Sequence, residues 1–188
     1  MKTPNLFIIS ILLITLLFST SSFAQPDYPQ EVNSSDILKQ IENGEDVYIS
    51  NSLIKGKLDL GSISLSKIEE NDLKIVTSQI TILDSYFEEA ADFSNTLFEN
   101  EIEFFNCSLY RVDFSKSHFK QDVNFKRSEL FLCNFSEVVY HKKADFRQTD
   151  FFESRFDNSI FRGCTLFDES TLTRPIFHNV TFINRSSF

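Results

Sequence analysis

Three cysteines, three histidines and a few neighbouring acids are the side chains of this 188-residue chain with chemistry to offer. Cys107, Cys133 and Cys164 invite a disulfide reading, and the odd count leaves one thiol over. His118, His141 and His178 lack the sequence spacing of a metal site or of a catalytic base beside an orienting partner. Glu88 with Glu89, and Glu101 with Glu103, are pairs that could divide acid and base roles between them. The phosphate loop, the glycine-rich dinucleotide turn and the G-x-S-x-G nucleophile elbow do not occur. "HKK" at 141–143 is too short a cationic run for a polyanion. These residues suggest no catalytic, cofactor-binding or metal site, and the expectation is a non-catalytic protein that uses no cofactor.

What the rest of the chain builds decides which side chains meet. Lys2, the run "LFIISILLITLLF" over 6–18 and the small residues Ser22 and Ala24 follow the order of a secretory signal peptide, with cleavage between Ala24 and Gln25. The run is shorter than the ~20 residues of a spanning helix, so 1–24 is read as a removed leader, or as a membrane anchor if it is retained. The protein is therefore expected outside the cytoplasm. Without Lys2 the chain has 17 basic and 27 acidic side chains, 17 − 27 = −10. Residues 27–103 hold 17 acids and 5 bases, whereas 104–188 hold 10 acids and 12 bases. The acidic half discourages nucleic acid as a partner.

The strongest signal is a period. From Phe104, steps of five reach Leu109, Phe114 and Phe119, and a step of six reaches Phe125. The pattern repeats without a break to Phe188 and extends back to Phe98 and Phe93. Every one of these positions is Phe, Leu or Tyr, and the residue two before each is uncharged. Neither a helix nor a long strand has that period. A coil that turns a corner every five residues does. It has four short sides, returns after ~21 residues and stacks ~4.8 Å above the previous coil. Phe93, Phe114, Phe135, Phe156 and Phe177 then share one axial column. The sixth residue is expected to bulge at or near Asn100, Asp122, Lys143, Cys164 and Arg185. Cys107 and Cys133 fall on small inward positions in different columns, and Cys164 on the bulge, as the thiol open to an intermolecular bridge. Phe131 and Phe152 fall one residue past an inward position and should face water.

"ADFSN" (91–95), "VDFSK" (112–116), "CNFSE" (133–137) and "ADFRQ" (144–148) resemble the motif of the pentapeptide-repeat family. The resemblance implies an all-β fold, a right-handed quadrilateral β-helix, firmly over 91–188 and more weakly over 47–90. Pro175, at a small inward position, departs from the motif. Before the coils, 25–33 is expected to be a disordered linker. Residues 34–46 are expected to form a short capping helix, with Ser34 or Ser35 as N-cap and Gly44 past its end. Residues 47–90 are expected to form irregular first coils, interrupted by an exposed loop at 66–74. A rigid scaffold contacting an unidentified protein partner is the leading functional expectation. Because Phe188 ends the series, self-association through Phe182 and Phe188 of the last coil is also expected. Some family members mimic duplex DNA and shield topoisomerases, so the resemblance also implies an alternative: an acidic rod that binds a topoisomerase or another nucleic-acid-binding protein.

Overall fold

The computed structural model describes residues 29–188. The chain winds into a β-solenoid of about 8 turns, with about 21 residues per turn and one short helix. Three sides of the coil are parallel sheets, and the fourth is a column of single bridges. In one regular coil the first side is Ile102–Phe105 and the second Ser108–Tyr110. The third passes through Asp113, which bridges Asp92 below and Asn134 above, and the last is His118–Phe119. Strands of one residue-pair are enough here, because each coil's backbone groups are paired by the coils on either side.

Corners explain the five-residue step. After the third side, Asn95, Lys116, Glu137, Asn158 and Asn179 all have positive φ. After the first side the same conformation falls on Asn106, Arg127, Gln148 and Glu169, and after the second on Arg111, Leu132, Glu153 and Arg174. Asparagine tolerates this left-handed region best among non-glycine residues, which suits its frequency at these sites. After the fourth side of the regular coils no such residue occurs; the sixth residue makes the turn, bending at Asn100, Gln121, Lys142, Gly163 and Asn184. For the last four coils that bend lies one residue before the expected position.

The motif's polar positions close the backbone. Asp92, Asp113 and Asn134 accept through Oδ1 from the N–H two residues on, at 3.0, 2.7 and 3.1 Å. The small inward residues tie coil to coil. Ser117 Oγ donates to the Phe93 carbonyl at 2.8 Å and accepts from the Thr96 N–H at 3.1 Å. Ser154 does the same for Leu130 and Cys133, at 2.7 and 3.1 Å. A larger side chain there would push the side away from the axis, and an alanine would leave both backbone groups unsatisfied.

Along the axis, Phe93, Phe114, Phe135, Phe156 and Phe177 stack with ring centroids 5.1, 5.2, 4.9 and 4.9 Å apart in succession. Neighbouring columns meet this one edge-on, as Phe125 meets Phe135 at 5.5 Å and 80°. Offset stacks within a column and edge contacts between columns are the two favoured aromatic geometries. Stacked rings fill the solenoid interior along these columns.

Two N-terminal expectations are corrected. Gln30–Asn33 is a strand (β1), not part of a disordered linker; it pairs in parallel with Ser52–Lys55, placing Val32 opposite Ile54. The first coil's unpaired edge supplies the partners that this short segment lacks on its own. The helix (α1) runs Ser34–Glu42, shorter than 34–46, and its N-cap is Asn33 without a side-chain capping bond. Its C-terminus closes as a Schellman motif: Gly44 has φ +71°, its N–H reaches the Ile41 carbonyl at 3.0 Å, and Glu45 reaches Gln40 at 2.9 Å. Ile37, Leu38 and Ile41 bury into the core below. Within 66–74 the chain makes a tight exposed excursion, with Lys67 and Lys74 bridged antiparallel and Ile68 N–H on the Leu73 carbonyl at 2.9 Å. Its end, Lys74, already starts a strand. The expected leader, with Ala24, Gln25 and the apolar run 6–18, lies outside the described residues.

Candidate protein-contact surface

Alternation along each side turns the large inward residue's neighbours toward solvent. On the second side that leaves an aromatic row. Tyr110 lies in register with Phe131, and Phe131 with Phe152. The Phe131 and Phe152 rings stack at 5.6 Å. Tyr110 is 48% exposed and Phe131 37%. Arginines close both ends, Arg111 lying 5.0 Å above the Tyr110 ring and Arg174 5.1 Å above Phe152. Arg174 is also held by Glu153 at 2.8 Å. Tyr86 stands exposed on the same side, one coil earlier. Exposed Tyr, Phe and Arg on a flat, rigid backbone have the composition of protein-binding hot spots. Outward-facing Phe131 and Phe152 follow from the frame. Joining them to Tyr110 needed the 21-residue step applied to outward positions too.

The other sides differ. The third carries a carboxylate column, Asp59, Asp92 and Asp113, linked by successive bridges. On the first side, Glu103 accepts from Asn124 Nδ2 at 2.7 Å, and Asp145, with Arg147 Nε at 2.8 Å, has its carboxyl held below its usual range by that guanidinium. On the fourth, Ile75, Val139 and Ile160 flank basic Lys120 and Arg162, while Leu97 of the same column is buried.

The residues with chemistry do not assemble into a reactive centre. Cys107 and Cys133 are buried, free thiols, and burial pushes both up to about 12. Their Sγ–H groups point to the carbonyls of Ile82 and Leu109, at 3.2 and 3.4 Å, taking the place that serine holds in other coils. Cys164 is partly exposed at its corner. Glu88 and Glu89 stand exposed at a corner, while Glu101 and Glu103 line an open groove of about 170 Å³ with Asp122 and Lys143. Among the described residues no three His, Cys, Asp or Glu side chains gather around a common point.

From the sequence, His118, His141 and His178 are expected on outward positions far apart in the coil order; the structure corrects this for His118 and His141, whose ring centroids lie 5.8 Å apart. His118 precedes the inward Phe119 and His141 follows the inward Tyr140, so a 23-residue separation places them on one side in adjacent coils. Burial, then Lys120 and Arg162, lower both imidazoles from their ordinary range. His178 lies on the third side, beside Phe177.

Two family descriptions match the coils, "Pentapeptide repeats (9 copies)" over 84–129 and "Pentapeptide repeats (8 copies)" over 140–166. The chain carries pentapeptide repeats over these residues. Its pentapeptide repeats place the Asp or Asn of each motif on the turn bond just described, and the Leu or Phe on the axis. No curated protein matches the sequence. Among solved structures, trypsin-treated QnrB1, described as a plasmid-mediated fluoroquinolone resistance protein, is 17% identical, with a TM-score of 0.31, over 75% of this chain and 84% of that one.

Proposed function

We propose that this pentapeptide-repeat protein is a non-catalytic, exported scaffold whose second side binds another protein. The observation that carries the reading is the arginine-flanked row Tyr110, Phe131 and Phe152, held on consecutive coils without burying its rings. Rigid aromatics lose little side-chain freedom on binding, so their contact area converts well into affinity. The occupant we propose is a folded protein presenting apolar side chains beside a carboxylate. Arg111 would take the carboxylate, since it makes no salt bridge among the described residues. Export is supported by the order Lys2, apolar 6–18, Ala24 in the sequence.

Protein recovered from its native host should begin at Gln25, and an intact Met1 on a soluble cytoplasmic product would overturn export. In the same host, cross-linking should join the wild-type chain to a discrete protein, and the F131S/F152S double variant should lose that product while melting normally. A product that survives the double change would rule out the second side. Tagged and untagged copies expressed together show whether the occupant is a second copy of the chain. Such a copy could also engage through Phe182 and Phe188, whose rings extend the stacks of Phe161 and Phe167, with Phe188 68% exposed.

The acidic-rod reading has one observation in its favour, the stacked Asp59, Asp92 and Asp113 of the third side. It requires a cytoplasmic protein, and a topoisomerase whose supercoiling activity responds to the purified chain. Residence outside the cytoplasm would exclude it.

A further inference from the structure

On the fourth side, Lys120, His141 and Arg162 each follow the inward aromatic of three successive coils. Their N–H groups bond the carbonyls of Phe98, Phe119 and Tyr140 at 3.0, 2.9 and 2.8 Å, which fixes them in one column. Neighbours in such a column are ~4.8 Å apart, so His141 sits midway between two cations. Neither Lys120 nor Arg162 makes a salt bridge among the described residues, although Glu99 holds the preceding place in the same column, its N–H on the Val76 carbonyl at 3.0 Å. His141 Nε2 is buried and has no hydrogen-bond partner. His118 packs beside it, with ring centroids 5.8 Å apart. Two cations free of salt bridges, on the coils either side of an unpartnered ring nitrogen, are what an oxyanion would satisfy. The ammonium supplies a compact charge, the guanidinium a planar fork, and the imidazole a third donor.

We propose that Lys120, His141 and Arg162 form an oxyanion site for one phosphate- or sulfate-type group, either free or carried on a larger ligand. The site lies on a different side from the aromatic row and does not depend on it. Binding should also depend on pH. The groups facing His141 are His118 and Lys120 from the strand before, Arg162 from the strand after, and Lys142 next in its own coil. Burial, then the cations nearby, lower the His141 pKa, whereas a bound anion favours the imidazolium and raises it. Affinity therefore rises as the pH falls through the histidine range.

The test is a titration of the full chain with inorganic sulfate, whose charge is constant between pH 6 and pH 8, followed by the His118 and His141 ring proton resonances. Saturable shifts are expected, with binding about tenfold tighter at pH 6 than at pH 8, the factor that one unit of pKa shift corresponds to. Lys120→Gln and Arg162→Gln should each weaken it about tenfold or more, the scale of one charge-assisted hydrogen bond. Lys126→Gln, on the first side, should leave it unchanged. A second arm at pH 8 compares O-phosphoserine with inorganic phosphate: tighter binding of O-phosphoserine assigns a carried group, and equal or weaker binding assigns the free ion. Shifts that never saturate, or that persist equally in all three variants, would show a general salt effect and overturn the site. Thermal melting of each variant separates lost binding from lost folding.

Discussion

Phe135→Ala should destabilise the protein by about 3–5 kcal/mol, the range for truncating a fully buried phenylalanine. Phe135 has no exposed surface and is stacked between Phe114 at 5.2 Å and Phe156 at 4.9 Å, with Phe125 and Phe146 edge-on. The cavity cannot collapse, because the backbone on all four sides is fixed by the coils above and below. Phe152→Ser, by contrast, removes an outward ring whose neighbours are Phe131 and the Arg174 guanidinium, and should cost less than about 1 kcal/mol. Urea denaturation of both variants reads the difference directly. Equal losses would mean that the assignment of inward and outward positions is wrong.

Gly163→Ala should cost about 1–3 kcal/mol, the range for inserting a group where none fits. A Cβ at Gly163 would lie 1.9 Å from the Lys142 carbonyl oxygen. That obstacle is backbone, not the tip of a flexible side chain, so the corner must open. The bonds at risk lie on either side of it: Ala144 N–H to the Cys164 carbonyl at 2.9 Å and Arg162 N–H to the Tyr140 carbonyl at 2.8 Å. Gly61→Ala is the control, because there the nearest atom is an Asp59 carboxylate oxygen, a side chain that can swing aside. A lower melting temperature for Gly163→Ala than for Gly61→Ala is the expected result. A Gly163→Ala variant as stable as the wild type would show that this corner is looser than described.

The solenoid was legible because its constraint repeats: a large residue must meet the axis at every side, so the spacing of Phe, Leu and Tyr carries the period of about 21 residues. Outward positions have no such constraint. The Tyr110, Phe131, Phe152 row keeps the 21-residue step of the inward columns, whereas the 23-residue separation of His118 and His141 departs from it, and that pair emerges only when the coils are stacked in register. β1 was illegible for another reason. Gln30–Asn33 contains one apolar residue, Val32, and is a strand because the first coil's open edge pairs with it. The close approach at Gly163 is likewise invisible in sequence, where it is one glycine among four. Leu132 shows the opposite case, a side chain poorly suited to φ +56° that the stacked coils impose on it.

The measurement closest to the central claim is hydroxyl-radical footprinting of the chain with and without the protein to which it cross-links. Free, the chain should be modified at Tyr110 and Phe131 and protected at Phe114, Phe135 and Phe156. With the partner bound, new protection should be confined to Tyr110, Phe131 and Phe152, together with the flanking Arg111. Protection that instead follows the Asp59, Asp92 and Asp113 column, with the aromatic row still modified, would contradict it.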